Sequence, residues 1–160
     1  MPHILLVDDN ATNRQVLEQA LKALGHRVSV AADGPSALQI LAFERLDLVL
    51  LDIHMPRQSG LDVLQELRQF EGPNQFLPAI CITADLVTRR PEDYLDLGFN
   101  GFLAKPVQMA KLVTVVDQAL ADSVEKVRRE KMKSQLGALQ ARIRPQEGDA
   151  GPSSEGENDP

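Results

Sequence analysis

Four apolar runs in this 160-residue chain end on residues that could do chemistry together. HILLV (3–7) is followed by Asp8 and Asp9, and LVLL (48–51) by Asp52. PAICIT (78–83) closes on Thr83, and GFLA (101–104) runs into Lys105. If these runs are strands of one sheet, their ends gather three carboxylates, a hydroxyl and an ammonium. Three carboxylates without a cation repel and raise one another's pKa. A hard divalent ion relieves that repulsion, and Mg²⁺ suits a site with few carboxylates that keeps several waters. Asp52 could then act as a nucleophile toward a phosphoryl group, aspartate being one of the side chains that forms a covalent phosphate. Lys105 would supply positive charge to the transferring oxygens, and Thr83 a hydroxyl that donates to them. Each residue alone has a plainer reading. An aspartate after a strand caps a turn or helix, a threonine favours strands, and a lysine before proline is a surface residue. Co-location at the strand ends of one sheet separates the two readings.

The elements that must do this positioning alternate two periodicities through residue 120. Apolar runs at 3–7, 28–31, 48–51, 78–83 and 101–104 read as strands. Between them lie helical stripes. Val16, Leu17, Ala20, Leu21 and Leu24 form one, stopped by Gly25; Ala37, Leu38, Ile40 and Leu41 form another behind Pro35. Leu61, Val63, Leu64 and Leu67 follow the loop with Pro56 and Gly60, and Pro91 opens a short helix closed by Gly98. Runs apolar on both faces mark a buried parallel sheet, with the helices as crossovers. Five such repeats predict an α/β doubly wound, five-stranded parallel sheet of flavodoxin-like order 2-1-3-4-5. In such a sheet the crevice lies beyond the carboxyl ends of the strands, where the five polar residues fall.

Composition narrows the function classes. An apolar share of 43% supports a real core, while 4% aromatics and no tryptophan argue against a base-stacking or sugar-stacking surface. No apolar run approaches the roughly 18 residues of a membrane span, and the N-terminus lacks the basic region and length of a signal peptide. The single Cys81 sits in an apolar run and has no internal partner, which points to a reducing, cytoplasmic setting. Residues 1–120 carry ten basic against fifteen acidic side chains; such a body lacks the basic footprint of direct nucleic-acid binding.

The segments LLVDDNATNRQVL, AADGPSAL, DLVLLDIHMPRQSGLDVL, ITAD and GFLAKPV, in this order, closely resemble the receiver (CheY-like) domain of bacterial two-component response regulators. The resemblance covers about residues 3–120. It implies that Asp52 is the phosphoacceptor, and that Mg²⁺ is held by Asp8, Asp9, Asp52 and the backbone carbonyl of His54. It further implies that Thr83 and Lys105 serve phosphoryl transfer, that Phe102 is the switch aromatic of the fifth strand, and that Lys105-Pro106 is cis. His54 and Asp85 fall where the family tunes the lifetime of the phosphoryl group. The opening DDNATNRQVL looks most like receivers of hybrid sensor kinases, so the implied partners are a sensor histidine kinase or a histidine phosphotransfer protein. The Thr88-Arg89-Arg90 run and Pro91 depart from the family's more regular pattern before the fourth helix. Two rivals are a haloacid-dehalogenase-type phosphatase and a docking module that is not phosphorylated. The first wants a second acid two residues past the nucleophile, where this chain has His54; the intact polar set speaks against the second.

Beyond residue 120 the helical signal continues. Residues 121–144 carry seven basic against three acidic side chains, with Val124, Val127, Met132, Leu136, Leu139 and Ile143 mostly three or four apart. One helix over 108–144 is expected, 1–120 being the receiver domain and 121–144 a basic helical extension. An apolar stripe on a projecting helix favours a partner, so a homodimer through this extension is expected. Residues 145–160 hold five acids, prolines, glycines and serines, and are expected to be disordered.

Overall fold

The computed structural model describes residues 1–85 and 87–148, with side chains described through residue 142. Five strands alternate with five helices: β1 (His3–Val7), α1 (Ala11–Ala23), β2 (Arg27–Ala31), α2 (Gly34–Phe43), β3 (Leu48–Asp52), α3 (Gly60–Gln69), β4 (Ala79–Thr83), α4 (Pro91–Asp96), β5 (Gly101–Ala104) and α5 (Met109–Gly148). All strand pairs are parallel, in the expected order β2-β1-β3-β4-β5. Every residue of β1, β3 and β4 is buried, because each of these strands has neighbours on both edges and helices on both faces. β2 and β5, at the edges, are only partly covered.

Alternation along the strands sends side chains to two cores. Leu5, Val7, Val49, Leu51, Ala79 and Cys81 pack with Ala37, Leu41, Val63, Leu67 and Tyr94 from α2, α3 and α4. Ile4, Leu6, Leu48, Leu50, Ile80 and Ile82 pack with Leu17, Leu21, Leu112, Val116 and Ala119 from α1 and α5. Local signals set the helix ends. Asn10 caps α1 by accepting from the amide of Asn13, and Gly25 leaves it at φ 92°. Asp33 caps α2 by accepting from the amide of Ser36. Ser59 and Asp62 form a reciprocal capping box on α3.

The expected α1 stripe is narrower than its sequence suggests. Leu17 and Leu21 are buried, but Val16 and Leu24 are exposed, each about 100° around the helix or at its frayed end. β4 starts at Ala79 instead of Pro78, whose missing N–H cannot join the ladder, although its carbonyl still accepts from Val49.

The chain divides into two units, Met1–Asp122 and Ser123–Pro160. The second holds the later turns of α5, with an ion pair of 3.6 Å between Glu125 and Arg129 one turn apart. Val124, Val127, Met132, Leu136 and Leu139 are exposed there; the side chain of Ile143 lies outside the described residues. α5 continues to Gly148, four residues past the expected end at 144, since a proline at 145 costs one hydrogen bond without fixing the terminal residue. Residues 149–160, most of the segment expected to be disordered, lie outside the described residues.

One glycine is demanded by the fold at the end of β3. A Cβ on Gly60 would lie 2.4 Å from the backbone oxygen of Asp52, so only a residue without a side chain lets α3 start against that strand end. Gly60→Ala is expected to destabilise the chain by about 1–3 kcal/mol through overpacking against rigid backbone. Urea unfolding checks this, and an unchanged midpoint would show that the β3–α3 corner yields freely.

Candidate functional site

The strand register places the polar residues of these four runs at the carboxyl ends of the strands. Val7 pairs with Leu51, Asp52 with Ile82, Ile82 with Leu103 and Thr83 with Ala104, so Asp8 and Asp52 stand level, Thr83 comes one register position further and Lys105 two. Carboxylate oxygens of Asp8, Asp9 and Asp52 all lie within 4.8 Å of one another. Asp8 is fully buried, Asp52 is 1% exposed and Asp9 faces solvent.

Lys105 stands between the two buried acids. Its Nζ donates to Asp52 Oδ2 at 3.0 Å and lies 3.4 Å from Asp8 Oδ2. The remaining oxygens are partly met by backbone: Asp8 Oδ1 accepts from the amide of Asn10 at 2.9 Å, and Asp52 Oδ1 from the amide of His54 at 3.3 Å. Asp8 Oδ2 is buried with no hydrogen-bond partner among the described residues. Such an atom costs free energy unless something else meets it.

Charge balance here is unfavourable. Burial pushes the Asp52 carboxyl up, the Lys105 hydrogen bond opposes this, and the neighbouring Asp8 charge adds to it, leaving Asp52 at about 6 against an ordinary 3.8. Burial pulls Lys105 down, but its hydrogen bond and attraction to Asp52, with those to Asp8, outweigh it and hold the ammonium above its ordinary value. One lysine therefore stays charged without restoring Asp52 to normal. Because the folded carboxyl holds its proton to higher pH than the unfolded one, Asp52 makes stability fall as pH rises from about 3.8 through about 6. The buried Asp8 oxygen, which makes no hydrogen bond among the described residues and is met only at ion-pair distance by Lys105, and the all-oxygen donor set fit a hard divalent cation that keeps water in its shell.

The other expected residues surround this centre. Thr83 is fully buried, and its Oγ1 accepts from the amide of Asp85 at 3.0 Å. The Lys105 amide donates to the Thr83 carbonyl at 2.9 Å, tying β4 to the lysine, and Lys105-Pro106 is cis. His54 is exposed, with Nε2 3.9 Å from Asp85 Oδ2. Phe102 is half-buried two residues from the end of β5 and stacks on Tyr94 with ring centroids 5.6 Å apart.

Sequence reasoning did not single out Tyr94 or Arg14, and it placed Val16 only in the apolar stripe of α1. Arg14 Nη1 donates to the carbonyl of Asp8 at 2.8 Å. Val16 lines a cavity of about 420 Å³ that borders Asp8 and Lys105. The available signal was local: Arg14 and Val16 lie on the first turns after the acid pair, and Tyr94 is the only tyrosine of the chain.

Comparisons with known proteins bear on this arrangement. Residues 4–117 match the response regulator receiver domain family. The chain is 38% identical over 110 residues to the sensor histidine kinase AruS of Pseudomonas aeruginosa, covering 68% of this chain and 11% of that protein. It is 35% identical over 126 residues to the sensor histidine kinase RcsC of Escherichia coli, covering 79% of this chain and 12% of that one. The chain thus spans a small part of the length of these relatives. Among solved structures, the receiver domain of a Pseudomonas aeruginosa sensor histidine kinase is similar, with TM-score 0.68 and 34% identity, covering 75% of this chain and 98% of that one. That structure holds a magnesium ion coordinated in its active site cleft. Vibrio cholerae chemotaxis protein CheY4 is also similar, with TM-score 0.68 and 28% identity over 75% of this chain and 99% of its own. With its five-stranded fold, its acidic pocket and this match, the chain belongs to the response regulator receiver domain family and is a phosphoacceptor switch domain, not a classical enzyme.

Proposed function

We propose that the chain accepts a phosphoryl group on Asp52 from a sensor histidine kinase or a histidine phosphotransfer protein, and switches conformation to control an output. The observation that carries this is Lys105 Nζ lying between Asp8 and Asp52, 3.4 and 3.0 Å from their oxygens, in a pocket of three convergent carboxylates. In the transfer, an Asp52 oxygen attacks the phosphorus of a phosphohistidine; the P–N bond breaks and the imidazole leaves. Return follows when water attacks the phosphorus and the Asp52 carboxylate is released. Lys105 takes the developing charge on the phosphoryl oxygens, and the Thr83 hydroxyl donates to one of them. Phe102, on the same sheet face as Thr83 by the register of β4 and β5, turns inward as Thr83 moves toward the phosphoryl group.

Asp8, Asp9, Asp52 and the His54 carbonyl would hold Mg²⁺. When bound, the ion offsets carboxylate repulsion and polarises the phosphoryl oxygens. The magnesium in the related receiver supports this set, as does the buried Asp8 Oδ2, which makes no hydrogen bond among the described residues. The setting we propose is the cytoplasm, where a phosphohistidine donor is met; no helix among the described residues is long and apolar enough to cross a membrane.

The division proposed is a receiver over 1–120, a basic helical extension over 121–144 and an acidic tail over 145–160. The extension has two apolar residues at 124 and 127, a step of five, then Met132, Leu136 and Leu139, all exposed. Isolated helices with such a stripe are marginal in water, and a second copy of the same helix would cover it. The homodimer through α5 is therefore part of the proposal.

Three outcomes are expected. Acetyl phosphate with Mg²⁺ should add a single phosphate, seen by intact mass, and Asp52→Asn should abolish it; unchanged labelling of that variant would move the acceptor elsewhere. Mg²⁺ and a proton compete for Asp52, so affinity should weaken about tenfold from pH 7.5 to pH 5, given a folded value of about 6. Titration calorimetry showing equal affinity at both pH values would remove Asp52 from the ligand set. Truncation after Leu120 should leave a monomer that still takes phosphate, whereas the full chain scatters light as a dimer; two monomers at matched concentration would end the dimer proposal.

A further inference from the structure

Tyr94 is 1% exposed, yet it sits in a six-residue helix on the rim of the domain. A buried phenol needs a partner for its hydroxyl. Here the hydroxyl donates to the backbone carbonyl of Asp85 at 3.3 Å. The same Asp85 residue donates its amide to Thr83 Oγ1 at 3.0 Å. Its carboxylate is committed as well: Oδ1 accepts from the amides of Val87 and Thr88 at 3.1 Å, and Oδ2 from the Thr88 hydroxyl. Asp85 is thus held through its amide, its carbonyl and its side chain. On the other side, the Tyr94 ring stacks on Phe102 and meets Phe99 edge-on.

The consequence for Thr83 comes from counting lone pairs. A hydroxyl has one hydrogen and two acceptor sites. The Asp85 amide takes an acceptor site, which fixes the rotor and leaves the hydrogen free to donate. If the Asp85 amide shifts, that restraint is lost, and the hydroxyl turns among several orientations.

We infer that Tyr94 is a positioning residue for the Thr83 hydroxyl. Its phenol holds the Asp85 carbonyl and so restrains the Asp85 backbone, whose amide on the other side of Cα orients Thr83, while its ring stacks on Phe102. This rests on the reading that Asp52 accepts a phosphoryl group served by Thr83. It adds a route from Thr83 through the Asp85 backbone to α4 and β5. Simple core packing is the competing explanation, and it concerns the ring, not the oxygen. Tyr94→Phe separates the two because it keeps the ring and removes only the hydroxyl.

The test uses the full chain and two measurements on wild type and Tyr94→Phe. Amide hydrogen exchange needs no phosphate. In Tyr94→Phe the Asp85 amide should exchange about fivefold faster, the size expected for one neutral hydrogen bond, with β4 core amides unchanged. Asp52 labelling by acetyl phosphate should slow in the same variant, and Thr83→Ala combined with Tyr94→Phe should be no slower than Thr83→Ala alone. Unchanged Asp85 exchange with labelled wild type would overturn the role of Tyr94 alone. Equal loss of protection across Asp85 and the β4 core would assign Tyr94 to packing and also overturn it. A wild-type chain that takes no phosphate would overturn the phosphoacceptor reading, and the positioning role with it, whatever the exchange shows.

Discussion

Two buried carboxylates, Asp8 and Asp52, share one ammonium at the ends of adjacent central strands. Lys105 reaches both, yet burial, with the Asp8 charge adding to it, keeps Asp52 well above an ordinary aspartate. Ordinary folding forces do not favour such a cluster, since each buried charge costs free energy unless it is paired and hydrogen-bonded. The surrounding fold is what holds it. β1 and β3 are buried along their whole length and locked in parallel register, so neither acid can withdraw without disturbing both cores. The Gly60 contact with the Asp52 carbonyl and the Asn10 amide on Asp8 remove further freedom. The site is a place where local free energy is sacrificed so that an incoming cation and phosphoryl group find their partners already in position.

Much of this was legible in the sequence because the central strands are uniform in character. HILLV, LVLL and PAICIT are apolar on both faces, which permits few placements other than the middle of a parallel sheet, and the polar residue that ends each run then falls at one edge. The convergence of Asp8, Asp9, Asp52 and Lys105 follows from that placement, whereas the strand order had no sign in the spacing and was expected only as the natural arrangement of a doubly wound sheet. The less legible features depend on side-chain packing. Val16 shares the α1 pattern with Leu17 but turns away from the core and lines the cavity beside Asp8. Tyr94 gave no periodic signal, because a six-residue helix is too short to show one; its contacts with Asp85 and Phe102 come from loops folded together in space.

The two units of the chain rest on different physics. Met1–Asp122 has a sheet covered on both faces, and its helices need only modest intrinsic stability. In Ser123–Pro160 the described apolar side chains are exposed, so that segment depends on helix propensity, on pairs such as Glu125–Arg129 and on whatever covers its stripe.

The stability of Asp52→Asn without metal tests the carboxylate conflict most directly. At pH 7.5 in the presence of a chelator, neutralising Asp52 should raise the urea unfolding free energy, by on the order of 1 to 3 kcal/mol, because the folded state no longer carries a repelled buried charge. The gain should shrink toward zero as the pH falls below about 4, where wild-type Asp52 is protonated in both states. A variant less stable than wild type at pH 7.5 would show that Lys105 already compensates the acids, and the conflict at the centre of the site would not exist.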